Sequence, residues 1–108
     1  MSLRYPDLEA QTRSSPSGLD TLNAELMAER AAALGHHGQA VQKALAALRL
    51  ADAPGVDSQQ RTGRLKAAAA AVWAYFVHRE ALGLHDHRDV IALYGISGEV
   101  LARLGAFD

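Results

Sequence analysis

The sequence contains no cysteine. Disulfides, thiolate nucleophiles and the common structural zinc frameworks are therefore excluded, and a reducing cytoplasm is the expected location. An excess of charge of either sign is also missing. Eleven basic against twelve acidic residues leave a formal charge of −1 and a pI near 6.5, so nothing pulls the chain at long range toward nucleic acid or an anionic membrane. No apolar run approaches the roughly 18 to 20 residues of a membrane span. No charged-then-apolar leader opens the chain, so secretion is not expected. Strand alternation and internal repeats are absent as well.

Chemical signatures are equally sparse. There is no G-x-S-x-G, no S-x-x-K and no phosphate-cradling glycine pattern. No catalytic or cofactor-binding residue can be named, and no enzyme class is indicated. The acid pairs Glu25 with Glu29 and Asp86 with Asp89 sit at helical spacing, where a solvated face or first-turn dipole partners account for them.

What the chain does have is the stretch Ala67–Val77, AAAAAVWAYFV, whose one polar side chain is the phenol of Tyr75. On a 3.6-residue wheel it separates into two flanks. Leu65, Ala69, Val72, Trp73, Phe76 and Val77 form the bulky flank, which should enter the core. Trp73 and Phe76 together could remove on the order of 300 to 500 Å² from water, roughly 8 to 12 kcal/mol gross. Ala67, Ala71 and Ala74, edged by Tyr75 and His78, form a slim flank on which another helix can approach closely. A second subunit is the expected occupant.

The expected architecture is all-α, a small bundle with three main helices at about 19–34, 39–51 and 58–82 and two short ones at about 87–94 and 98–104. Residues 1–18 hold two prolines and no apolar period, so they read as an extended tail before a single domain over 19–108. Helix one carries Leu19, Leu22, Leu26, Ala33 and Leu34. The GHHG sequence at Gly35–Gly38 should turn the chain into helix two, with its stripe of Val41, Ala44, Leu45, Leu48 and Ala51. A short turn there makes helices one and two an antiparallel hairpin. Asp57 should cap the third helix in a capping-box spacing with Gln60, and Gly83 should stop it. Asp86 and Ser97 are the expected caps of the two short helices, closed by Gly95 and Gly105. Arg30 and Glu80 both fall on apolar faces, so they are expected to meet as a buried ion pair.

Two further readings compete with assembly. The helix, glycine and helix cadence of DVIALYGISGEVLARLG within residues 86–105 matches a DNA-binding helix-turn-helix, although Glu99 near the start of its second helix and Arg103 as the one base-capable cation oppose it. The histidines admit a metal site, with His78, His85 and His87 as weak candidate ligands beside the His36–His37 pair.

Three strings, AELMAERAAALG at Ala24–Gly35, VWAYFVHREALGL at Val72–Leu84 and YGISGEVLARLG at Tyr94–Gly105, resemble a family of short alpha-helical bacterial proteins of unknown function. The resemblance covers about Leu19 to Gly105. It implies no activity and no functional residue, and it implies proline at the position of Ser97, where this sequence departs from it. The reading favoured by the residues is a protein–protein interaction or assembly module acting as a homodimer on the alanine flank, with an unidentified partner helix as the other occupant. The alternatives are DNA binding through 86–105 and His-based metal binding.

Overall fold

A computed structural model describes residues 17–106. The tail expected over 1–18 lies outside them except for Ser17 and Gly18, which are helical. Four helices make up the described residues, which contain no strand: α1 Ser17–Leu50, α2 Ser58–Ala81, α3 Arg88–Tyr94 and α4 Gly98–Ala102. The all-α expectation holds. The chain divides at Ala33/Leu34 into two units, Met1–Ala33 and Leu34–Asp108, inside the span expected to form one domain.

The first correction concerns GHHG. It is no turn, and expected helices one and two are a single helix of 34 residues. Neither Gly35 nor Gly38 has the positive φ that a helix-ending glycine adopts. A glycine inside a helix costs about 1 kcal/mol relative to alanine, too little to break strong helix formers on both sides. Gly38 is buried, and it has a packing reason to be glycine: a Cβ there would lie 2.8 Å from the Tyr94 hydroxyl and 3.8 Å from Cε1 of Tyr75.

The antiparallel hairpin is instead made by the Leu34–Leu50 part of α1 and α2, joined by residues 51–57. Arg64 of α2 donates to the Ala47 carbonyl at 3.0 Å. At the other end of the pair Gly38 faces Tyr75, and the His37 and His78 rings meet at 4.9 Å. Local signals set the ends of α2 as expected. The Asp57 carboxylate accepts from the backbone N–H of Gln59 and Gln60 at 2.6 and 3.0 Å. At the C-terminus Gly83, at φ 87°, lets the Leu84 N–H return to the Arg79 carbonyl at 2.9 Å. In α4 the Ser97 hydroxyl accepts from the Val100 N–H at 3.3 Å. For α3 the N-cap is His87, and Asp86 acts from one residue further out, taking the Arg88 N–H at 3.0 Å.

The core joins Val41, Leu45 and Leu48 of α1 with Leu65, Ala68, Ala69, Val72, Tyr75 and Phe76 of α2, closed by Val90, Ile96 and Val100. The second correction is the phase of α2. Trp73 is 42% exposed and Val77 47%, whereas Tyr75 is only 5% exposed. Steps of 100° place the six buried residues of α2 within an arc of about 120° and leave Trp73 and Val77 about 40° and 80° beyond its edge. Trp73 instead covers the turn at residues 103–105, with Cζ3 3.9 Å from where a Cβ of Gly105 would stand.

Over Ser17–Ala33, α1 carries Leu19, Leu22, Leu26 and Met27, exposed at 61%, 52%, 40% and 62%. These leucines were expected in the core. No residue of this half of the helix is buried.

Candidate functional site

Polar and aromatic side chains of the second unit gather where the C-terminal end of α2 meets the start of α3. Arg79 leaves the buried arc of α2 one turn beyond Tyr75. Its guanidinium lies 5.8 Å from the Tyr75 ring centroid, and it donates Nη2 to the Asp86 carbonyl at 2.9 Å and Nε to Nδ1 of His87 at 3.1 Å. Because arginine has no acceptor, Nδ1 must accept. Nε2 then carries the proton, and it donates to Oε2 of Glu80 at 2.8 Å. The imidazole is stacked on Phe76, at 4.0 Å between centroids and 3° between planes. Both ring nitrogens are therefore occupied, and His87 has no lone pair left to act as a general base. It also has none left to bind a metal.

Next to this clamp the Tyr75 and Tyr94 rings meet edge to face at 5.7 Å. A hydrogen bond between the two phenols, with burial adding to it, raises the Tyr94 hydroxyl above its ordinary pKa. That bond holds the Tyr94 hydroxyl over Gly38.

On another side, a cleft of about 140 Å³ opens over Leu45 and Leu48, walled by Arg49, Asp52, Arg61 and Glu99, with Gly95 and Ser97 at its rim. Arg61 grips Glu99 in two parallel bonds of 2.9 and 2.7 Å and Asp52 in one of 2.9 Å. Its hydrogen bonds to Glu99 and then Asp52 raise the guanidinium, and the same bond holds Glu99 below the usual carboxylate range. Arg49 donates to the Tyr94 carbonyl at 3.0 Å. Two cations and two anions thus neutralise one another here, and the one hydroxyl, of Ser97, is engaged by its own helix. The cleft holds neither a nucleophile nor a free base, and it acts as a latch: Arg61 ties α2 to α4 and to the turn after α1, and Arg49 ties α1 to the end of α3.

The residues singled out in the sequence fall as follows. Tyr75 is buried inside its own chain, His78, Ala71 and Ala74 are half-buried, and Ala67 is exposed. The helix that approaches Tyr75 and His78 is α1 of the same chain, which sits close because residue 38 has no side chain. Arg30 is exposed, and the Glu80 carboxylate, 51% exposed, meets His87. Neither member of the expected buried pair is buried. Of the candidate metal ligands, His87 is consumed by its clamp, His85 is exposed, and His78 meets His37 of the His36–His37 pair. Among the described residues no group of three or more His, Asp or Glu is placed to hold a metal ion. In the expected helix-turn-helix, Glu99 is engaged by Arg61 and Arg103 is half-buried with its Nε out of solvent.

Matched against protein families, the sequence fits the family of unknown function DUF6665 over residues 1–108. The chain belongs to that family. The match is wider than the span of about Leu19 to Gly105 over which the resemblance runs. Neither the curated proteins nor the solved structures gave a match. The geometry of this DUF6665 chain is therefore the ground for any functional reading. No described helix is long and apolar enough to cross a membrane.

Proposed function

We propose that the protein is an interaction module that assembles as a homodimer, and that the contact lies on the N-terminal half of α1 rather than on the alanine flank of α2. The observation behind this reading is the exposure of Leu19, Leu22, Leu26 and Met27 on one stretch of helix. Three leucines at spacings of three and four residues form a stripe of the kind that packs against another helix. A second copy is the partner, because the same stripe on both chains is self-complementary about a two-fold axis. The formal charge of −1 offers little repulsion to oppose it.

Eight such side chains, half covered, would remove on the order of 500 Å² of apolar surface, about 12 kcal/mol gross. Association itself costs about 4 to 15 kcal/mol, so the dimer is at best micromolar. Light scattering from about 5 to 500 μM protein tests it. The mass should rise toward twice the monomer value in the native chain and stay monomeric in Leu22→Glu/Leu26→Glu. A monomeric native chain throughout, or a dimer indifferent to the two glutamates, refutes the reading.

A further inference from the structure

The Nε2 of His78 is buried and has no hydrogen-bond partner. A polar atom in that state costs about 1 to 3 kcal/mol, and buried polar groups are otherwise almost always satisfied. Across the helix pair the ring of His37 lies 4.9 Å away, tilted by 39°, so the two imidazoles do not form a parallel stack. Two imidazoles that share one tetrahedral ion with bonds of about 2.0 to 2.1 Å place their ring centroids about 5.2 Å apart. The observed separation is within a few tenths of an ångström of that figure.

From this geometry we propose that His37 and His78 form a two-imidazole site for a divalent transition metal, bridging α1 and α2. Imidazole donors select zinc, copper, nickel or cobalt over magnesium and calcium. Both ligands stand on helices that meet next door where Gly38 faces Tyr75, so the pair is presented with little freedom to lose. His37 is half-buried and His36 beside it is exposed, which leaves a path for the ion. Two protein ligands leave the remaining positions to water or to a group brought by a partner. An ion so held would lock the two long helices of the second unit together.

The test uses the full chain stripped with a chelator and then given zinc, nickel or magnesium chloride at about 100 μM. Zinc and nickel should raise Tm by about 3 °C or more, magnesium should not, and the rise should vanish in both His37→Ala and His78→Ala. No rise in the native chain, or a rise kept by either variant that folds, overturns the proposal. Copper loading supplies a readout independent of the variants. Its electron paramagnetic resonance spectrum should show coupling to two imidazole nitrogens, and coupling to one or none also overturns it.

Discussion

The hydroxyl of Tyr94 occupies the space that a Cβ on Gly38 would need, 2.8 Å from its ideal position. Gly35, one turn earlier in the same helix, has nothing within 4 Å. The two glycines should therefore respond oppositely to alanine. Gly35→Ala should stabilise by about 0.5 to 1 kcal/mol through helix propensity alone. Gly38→Ala gains the same term and loses about 1 to 3 kcal/mol to overpacking, because the Tyr94 hydroxyl is tied to Tyr75. In a Tyr94→Phe background the nearest atom becomes the ring carbon at 3.7 Å, and Gly38→Ala should turn neutral or stabilising. Urea melts of the native chain, the two glycine variants, Tyr94→Phe and the double variant check this, and equal effects at the two glycines would contradict the close contact.

Burial on α2 ranks two aromatic substitutions. Tyr75→Ala, at a site 5% exposed, should cost about 3 to 5 kcal/mol. Trp73→Ala, at a site 42% exposed, should cost about 1 to 2 kcal/mol, since much of its surface is already in water. A reversed order in denaturant melts would mean that the bulky flank read from the sequence is the buried one.

These two cases show what could be read in advance. Short-range chemistry marked both ends of α2, the end of α3 and the start of α4, since Asp57, Gly83, Gly95 and Ser97 act on backbone groups within a few residues of themselves, whereas α3 is capped by His87 rather than Asp86 and α4 stops at Ala102, ahead of Gly105. The continuity of α1 could not be read that way, because the partner that requires Gly38 to be bare is Tyr94, far along the chain. Apolar periodicity gave the type of α2 and missed its phase by roughly one position, exchanging Trp73 for Tyr75. The His87 clamp was out of reach for the same reason as Gly38. Glu80 looked stranded on an apolar face only while its neighbour across the turn was unknown.

The clamp fixes a tautomer. With Arg79 donating to Nδ1 and Glu80 accepting from Nε2, neutral His87 should be the Nε2–H form by nitrogen-15 correlation spectroscopy. Arg79→Met should release that preference, and His87→Ala should cost about 2 to 3 kcal/mol by removing the stack on Phe76 and two hydrogen bonds. An Nδ1–H form in the native chain would contradict the donor assignment.

The latch at the cleft makes stability depend on acid. Arg61 holds Glu99 below its usual value of 4.5, so the folded chain binds that proton more weakly than the unfolded one. The contribution is then complete above about pH 4.5 and is lost as pH falls through the lower folded value. Glu99→Gln should be less stable than the native chain at pH 7, and the gap should close below pH 4.5. Asp86, lowered by its hydrogen bonds from Arg88, begins to lose its contribution only below its ordinary value of 3.8, so Asp86→Asn serves as the comparison at lower pH. Both gaps should narrow in 1 M salt. A gap between native and Glu99→Gln that is unchanged from pH 7 to pH 3 would remove the latch.

The unequal halves of α1 give the assembly reading a second, independent measurement. From Leu34 to Leu50 the helix buries Gly38, Val41, Leu45 and Leu48, while from Ser17 to Ala33 it buries nothing. A helical stretch without packing rests on local propensity, which for some seventeen residues is marginal even when alanine-rich. Amide exchange should therefore be slow in the second half at every concentration, approaching the rate set by global unfolding. In the first half it should be fast at 5 μM and slow down at 500 μM, where the leucine stripe finds its copy. Leu22→Glu/Leu26→Glu should keep the first half fast at both concentrations and leave the second untouched. Protection of Leu19–Met27 that is high and independent of concentration would show that the stripe is covered within one chain, and the dimer would lose its reason to form.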